Sequence, residues 1–161
     1  MPVTRYAIAI GSNRRGRHGP PAAEVRAAMA ALGSTIATSR IIATAPLGPS
    51  SRRFANAAAL LDSAESPRDL LVRLKRLEHD FGRRAGRRWG ERVIDLDIIL
   101  WSGGVVADRV LQIPHKAYRT RRFVLDPLAE IAPAWRDPIT TLSMQHLAWR
   151  VHAVDRRPRR P

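Results

Sequence analysis

Two kinds of hydrophobic pattern divide this chain. Short apolar runs bounded by turn residues read as strands, and apolar positions three and four apart read as helices. Tyr6 to Ile10 reads as a buried strand broken by Gly11-Ser12-Asn13, and residues 14–20 as a polar loop. Pro20 and Pro21 stand where a first helical turn tolerates proline, so Ala23 to Leu32 is expected to be a helix stopped by Gly33. Ile36 to Thr44 and Phe54 to Leu61 are the next expected strands, separated by Ala45-Pro46-Leu47-Gly48-Pro49-Ser50-Ser51. Ser66, Pro67 and Asp69 supply an N-cap, a first-turn proline and an acidic first turn. Leu70, Leu71, Leu74, Leu77 and Phe81 then recur at helical spacing until Gly82 ends the run.

Val93 to Leu100 has the strongest strand character in the chain. Pro114 and Pro127 bracket a helical or turn-rich stretch, and Thr141 to Val151 is a candidate final helix. Strands and helices alternate irregularly, which predicts an α+β sandwich with helices packed on a mostly antiparallel sheet. A length of 161 residues at 45% hydrophobic allows one real core, so residues 1–155 are expected to form a single domain. Residues 156–161 are read as a disordered basic tail.

Composition then narrows the chemistry. The absence of cysteine excludes thiol catalysis, thiolate metal sites and disulfides. No apolar run approaches the roughly 20 residues of a membrane span, and the first strand is too short for a signal peptide. A cytoplasmic location is therefore the expectation, and a monomer, since no amphipathic surplus asks for a partner. The formal charge is +14, from 28 Lys plus Arg against 14 Asp plus Glu, which favours anionic partners. Only Lys75 and Lys116 are lysines; the rest is arginine, whose planar fork grips phosphate at two points.

The sharpest local chemistry lies in Val93-Ile94-Asp95-Leu96-Asp97-Ile98-Ile99-Leu100. A strand has a side-chain period of two, so Asp95 and Asp97 share one face, while Ile94, Leu96, Ile98 and Leu100 point to a core. Paired hard oxygen ligands suit Mg²⁺, which often takes one or two carboxylates, waters and substrate phosphates. The plain alternative is an exposed face paired with surface arginines. Immediately upstream, Gly82-Arg83-Arg84-Ala85-Gly86-Arg87-Arg88-Trp89-Gly90-Glu91-Arg92 combines arginines for phosphoryl charge with a tryptophan able to cover an aromatic ligand. Taken alone, that loop fits nucleic-acid binding as well. Beside Asp95 and Asp97, Mg-nucleotide is the better reading. No Walker A or Rossmann glycine pattern occurs. A third cluster, Pro114-His115 with Arg121-Arg122-Phe123, adds a histidine whose charge is tunable near neutral pH.

The order of these motifs resembles the 6-hydroxymethyl-7,8-dihydropterin pyrophosphokinases from about residue 5 to residue 150. The matching pieces are Gly11-Ser12-Asn13, Thr44-Ala45-Pro46-Leu47-Gly48-Pro49, Phe54-Ala55-Asn56-Ala57-Ala58, Glu78 with Gly82-Arg83, Arg88-Trp89-Gly90-Glu91-Arg92, Asp95-Leu96-Asp97-Ile98, Pro114-His115 and Arg121-Arg122-Phe123. The resemblance implies a ferredoxin-like α/β/α sandwich that moves pyrophosphate from ATP to a pterin hydroxymethyl group in folate biosynthesis. It further implies two Mg²⁺ ions on Asp95 and Asp97, and phosphate clamping by Arg83 and Arg92. Glu78, Trp89, Ile98, His115 and Arg121 would bind ATP. Thr44, Leu47, Phe54, Asn56, Trp89 and Phe123 would bind the pterin.

Some positions depart from the family pattern. Phe54 stands where many relatives carry tyrosine, Ala45 replaces a proline, and Val110 replaces a basic nucleotide contact. The arginine loop is one residue shorter than in some relatives, leaving either Arg84 or Arg87 as a second clamp. Small molecules are thus the expected partners, without membrane or nucleic acid. Two alternatives stand beside this reading: a basic nucleic-acid-binding module, and a catalytically silent relative.

Overall fold

Thr4–Ser12 forms β1, which buries Tyr6, Ile8 and Ile10 on one face and Ala7 on the other. The computed structural model describes residues 2–44, 53–82 and 93–157. After β1 come α1 (Pro21–Leu32), β2 (Thr35–Thr38), β3 (Ile42–Thr44), β4 (Phe54–Ser63) and α2 (Pro67–Gly82). β5 (Asp95–Trp101), β6 (Val106–Ala107) and β7 (Gln112–Ile113) follow, then a 3-10 turn (Tyr118–Thr120), α3 (Arg122–Ile131) and α4 (Met144–Asp155). The main sheet is antiparallel in the order β2-β4-β1-β5, with β3 also paired to β4; β6 and β7 form a small hairpin. With β2 and β3 together acting as the second strand, this is the expected ferredoxin-like β-α-β-β-α-β arrangement.

Each sheet face has its own core. On one, Val25, Ala28 and Leu32 of α1 and Leu70, Leu74 and Phe81 of α2 pack on Tyr6, Ile8, Ile10, Leu96 and Ile98. On the other, Val124, Leu125 and Leu128 of α3 and Met144, Leu147 and Ala148 of α4 cover Ala7, Ala58, Leu60, Ile99 and Leu100. Helices on both faces give the α/β/α layering. Among the described residues, no helix is long and apolar enough to cross a membrane.

The observed boundaries differ from the sequence pattern where side chains intervene. The strand expected over Ile36 to Thr44 splits at Ser39. Its N–H donates to the Ala58 carbonyl and its Oγ accepts from the Ala58 N–H, so one residue takes both backbone groups of Ala58. Pro127 lies inside α3 instead of bounding it, because Val124, Leu125 and Leu128 all bury there. The last helix starts at Met144, three residues late. Thr141 has φ of 64°, and Ser143 caps the helix by accepting from the His146 N–H.

Candidate active site

Strand pairing assembles the site from residues distant in sequence. Gly11 of β1 lies opposite Asn56 of β4 on one side and Asp95 of β5 on the other. Two residues away, Ala9 lies between Ala58 and Asp97. These two rows share the face that α3 and α4 cover farther along the sheet. Asp95 is exposed and Asp97 half-buried, so the acids stand where the helical cover ends. Their Cα atoms are about 7 Å apart along the strand, and Asn56 is about 10 Å away across two strand spacings. Only small residues separate the amide from the acids. A Cβ on Gly11 would come within 3.0 Å of Asn56 Oδ1, so the glycine leaves room for that side chain.

Among the described residues β5 is an edge strand, and outward backbone groups at Leu96 and Ile99 are met by side elements. The Leu96 N–H, between the two acids, donates to Glu78 Oε1 at 2.9 Å. Glu78 is 5% exposed and also pairs with Lys75 at 3.1 Å. Further along, Ile8 pairs with Ile98 while Ala7 pairs with Leu100, so Ile99 is the extra residue of a β-bulge. The Ile99 carbonyl accepts from the His115 N–H at 3.0 Å, which docks His115 on the same edge as Asp97. The bulge also turns Leu100 into the α3/α4 core, correcting its expected place beside Ile94, Leu96 and Ile98.

His115 Nδ1 accepts from the Ala117 N–H at 3.2 Å, which leaves Nε2 to carry the proton of the neutral ring. Partial burial lowers the His115 pKa; the nearby Asp97 charge opposes this, while Arg121 and Lys116 add to the lowering. Arg121 caps α3, and its guanidinium lies 5.8 Å from the Phe123 ring centre. Phe123 and Phe54 are 49% and 47% exposed, the second on the same β4 face as Asn56 and Ala58. Both are large aromatic side chains about half-exposed, Phe54 beside the Asn56 row and Phe123 beside Arg121.

The expected residues do not all arrive in the same way. Asp95, Asp97, Asn56, His115 and Arg121 are brought to one end of one sheet face, and Phe54 and Phe123 border it. Thr44 pairs through its backbone with Phe54. Ile98 is 4% exposed, and its side chain lies in the α1/α2 core, so only its backbone can serve a nucleotide. Glu78, expected at the nucleotide, turns its carboxylate to the Leu96 N–H. Leu47, Arg83, Arg84, Arg87, Trp89 and Arg92 lie outside the described residues. The stems of the arginine segment are close together. A Cβ on Gly82 would fall 2.4 Å from Val93 Cγ2, and the Val93 carbonyl accepts from Ser12 Oγ at 2.6 Å. Sequence reasoning had no role for Ser12 beyond its turn or for the buried Glu24, whose carboxylate meets the His18 N–H and ring at 2.7 and 2.8 Å. Their partners are 81 and 6 residues away in sequence, and no local pattern signals the longer contact.

Among the described residues, no three His, Asp or Glu side chains converge on one point. The donor set is therefore two carboxylates on one strand. That fits a hard cation whose remaining ligands are water and phosphate oxygens, and it does not fit a closed protein cage.

Residues 7–133 match the model of the 7,8-dihydro-6-hydroxymethylpterin-pyrophosphokinase (HPPK) family. The chain is similar to the 2-amino-4-hydroxy-6-hydroxymethyldihydropteridine pyrophosphokinase of Haemophilus influenzae, with 38% identity over 136 residues, 81% of this chain and 82% of that one. To the protein of the same name from Methylorubrum extorquens it is 39% identical over 137 residues, 81% and 84% of the two chains. The fold aligns with a crystal structure of an HPPK-DHPS in complex with substrates at a TM-score of 0.74 and 12% identity, over 96% of this chain and 46% of that one. A Plasmodium falciparum HPPK-DHPS triple mutant aligns at a TM-score of 0.71 and 12% identity, over 92% and 43% of the two chains.

Proposed function

The chain belongs to the 7,8-dihydro-6-hydroxymethylpterin-pyrophosphokinase family, and on that basis we propose how its residues divide the work of the reaction. It is a pyrophosphokinase of folate biosynthesis that uses ATP to diphosphorylate the hydroxymethyl group of 6-hydroxymethyl-7,8-dihydropterin. The alcohol oxygen forms a bond to the β-phosphorus of ATP. The bond from that phosphorus to the bridging α–β oxygen breaks, AMP leaves with the electron pair, and the alcohol proton passes to solvent.

Asp95 and Asp97 would hold two Mg²⁺ ions. When bound, the ions supply neutralisation of phosphate charge and acidify the alcohol. His115, through Nε2, and Arg121 donate to the triphosphate, and Arg83 and Arg92 clamp it from the arginine segment. Ile98 contributes backbone only, and Glu78 acts by holding Leu96 between the acids. Phe54 and Phe123 stack on the pterin, Asn56 reads its polar edge, and Thr44, Leu47 and Trp89 complete the enclosure. Such a division puts binding energy into orientation, which is the main task of a protein in phosphoryl transfer. The protein is expected to act as a monomer on small molecules.

The row Asn56–Gly11–Asp95 carries this reading. It sets an amide with donor and acceptor one bicyclic ligand's length from a carboxylate pair, with a small-residue floor between. The test is product analysis of the purified protein with ATP, Mg²⁺ and the pterin alcohol. AMP and pterin diphosphate are expected, both lost on chelation and in folded Asp97→Ala. Undiminished turnover in that variant would remove the metal assignment.

A further inference from the structure

We propose that Asp137 is a positioning residue for nucleotide binding, acting through the turn that carries His115 and Arg121. The proposal rests on the reading that those two side chains meet the triphosphate.

Asp137 lies in the loop between α3 and α4 and is wholly buried, so it touches no ligand itself. Its own loop fixes it from one side. Oδ1 accepts from the Ile139 and Thr140 N–H groups at 2.8 and 3.2 Å. Its backbone N–H donates to the Leu142 carbonyl, and its carbonyl accepts from the Thr141 N–H, both at 2.9 Å. Oδ2 then reaches across to the 3-10 turn. It accepts from the buried Tyr118 hydroxyl at 2.5 Å and from Arg119 Nε at 2.6 Å.

Tyr118 and Arg119 stand between the two phosphate candidates. On one side the Ala117 N–H holds His115 Nδ1, and the His115 N–H is docked on Ile99. On the other, the Arg121 N–H donates to the Tyr118 carbonyl at the start of α3. Fixing Tyr118 and Arg119 therefore fixes the span from His115 to Arg121. A buried carboxylate is a costly way to hold a loop, since apolar packing of equal volume serves stability as well. What four directed hydrogen bonds add is orientation. The bidirectional geometry, with one oxygen for the loop and one for the turn, transmits the rigid α3–α4 connection to the site.

The variants to compare are Tyr118→Phe, which keeps the buried ring, and Asp137→Asn, with His115→Ala and Arg121→Ala as references. The readouts are the dissociation constant of Mg²⁺ with α,β-methylene-ATP by calorimetry, and the separate KM values for ATP and the pterin alcohol, well below the unfolding temperature. Both variants should weaken the nucleotide roughly tenfold while the pterin KM stays within about twofold, as a displaced binding group requires. If Asp137→Asn does not fold, Tyr118→Phe decides. Unchanged nucleotide affinity with only a lowered Tm would overturn the inference, and so would an equal loss for both substrates. If His115→Ala and Arg121→Ala leave nucleotide affinity intact, the triphosphate assignment falls and this inference with it, while wild-type turnover still stands.

Discussion

Replacing Glu78 asks whether the acids of β5 are held from behind. The Leu96 N–H that Glu78 accepts sits at a residue 1% exposed, on the outward side of an edge strand. Glu78→Ala would strand that donor out of water, at about 1–3 kcal/mol. Lost burial of the side-chain stem adds about 1 kcal/mol. The pair with Lys75, which is half-exposed, adds less than about 1 kcal/mol. These contacts together come to about 2–5 kcal/mol. In a chain of this size each kcal/mol moves the midpoint by about 2–4 °C, so Tm should fall by roughly 4–20 °C. Glu78→Gln keeps an acceptor oxygen for the Leu96 N–H and gives up the carboxylate charge there and toward Lys75, so about 1–2 kcal/mol is expected. Urea and thermal unfolding would be read beside Mg²⁺-dependent turnover. The Gln variant should keep most of its kcat, and the Ala variant should lose kcat as the Asp95–Leu96–Asp97 backbone loosens. The reasoning is refuted if both variants unfold like wild type, or if Gln raises the KM for ATP as much as Ala does at unchanged stability. The second result would put Glu78 in direct contact with the nucleotide.

Two further outcomes follow from the same geometry. Asp137 is held at about 2 against an ordinary 3.8 despite its burial, because Arg119, Tyr118 and two backbone N–H groups hydrogen-bond its charged form. Its folded value is depressed, so the contribution of about 2 kcal/mol is present above about pH 4 and is lost as pH falls through about 2. The stability gap between wild type and Asp137→Asn should shrink over that window in urea titrations, and a constant gap from about pH 6 down to 2 would refute it. Gly11→Ala should push the Asn56 amide aside and raise the pterin KM roughly fivefold, about 1 kcal/mol, with the ATP KM unmoved. An unchanged pterin KM would remove Asn56 from that role.

The parts of this fold that the sequence discloses are those with a regular period. Alternation placed Asp95 and Asp97 together and opposite Leu96, and the pairing with β1 bears that out. Ser66 caps α2 as expected, its Oγ accepting from the Asp69 N–H at 3.2 Å. Alternation fails at Ile99, because a bulge depends on the partner strand and on the His115 N–H that meets the Ile99 carbonyl. It also cannot say which face a binding residue uses through its backbone, as at Ile98. Glu78 reads locally as one more polar position of an amphipathic helix, and its acceptor role appears only when α2 is laid beside β5. Asp137, in Arg136-Asp137-Pro138, has the composition of a turn. Its loop hydrogen bonds at Ile139 and Thr140 belong to that turn, whereas its bonds to Tyr118 and Arg119 cross 19 and 18 residues.

The charge of +14 is the feature most easily misread. A nucleic-acid-binding module would gather its basic residues into one continuous face. Here arginines are paired with carboxylates on both helical layers and at separate sheet margins: Arg68 with Asp108 and Arg73 with Glu65 on the α2 side, Arg119 with Asp137 and Arg122 with Asp155 on the α3/α4 side. Arg5 of β1 pairs with Asp62 of β4, and Arg40, between β2 and β3, pairs with Glu130 of α3. Apart from the buried Arg119–Asp137 pair, these half-exposed pairs hold little stability, but each directs a cation toward its own carboxylate. These six pairs lie apart from one another, whereas at the site opposite signs meet, with Asp97 and Arg121 both acting on His115. A polyanionic backbone gains nothing from a carboxylate pair at its phosphates. On the proposed assignment, a triphosphate arriving with divalent cations would gain from both signs at once, the cations drawn to Asp95 and Asp97 and the phosphates to the basic groups around them.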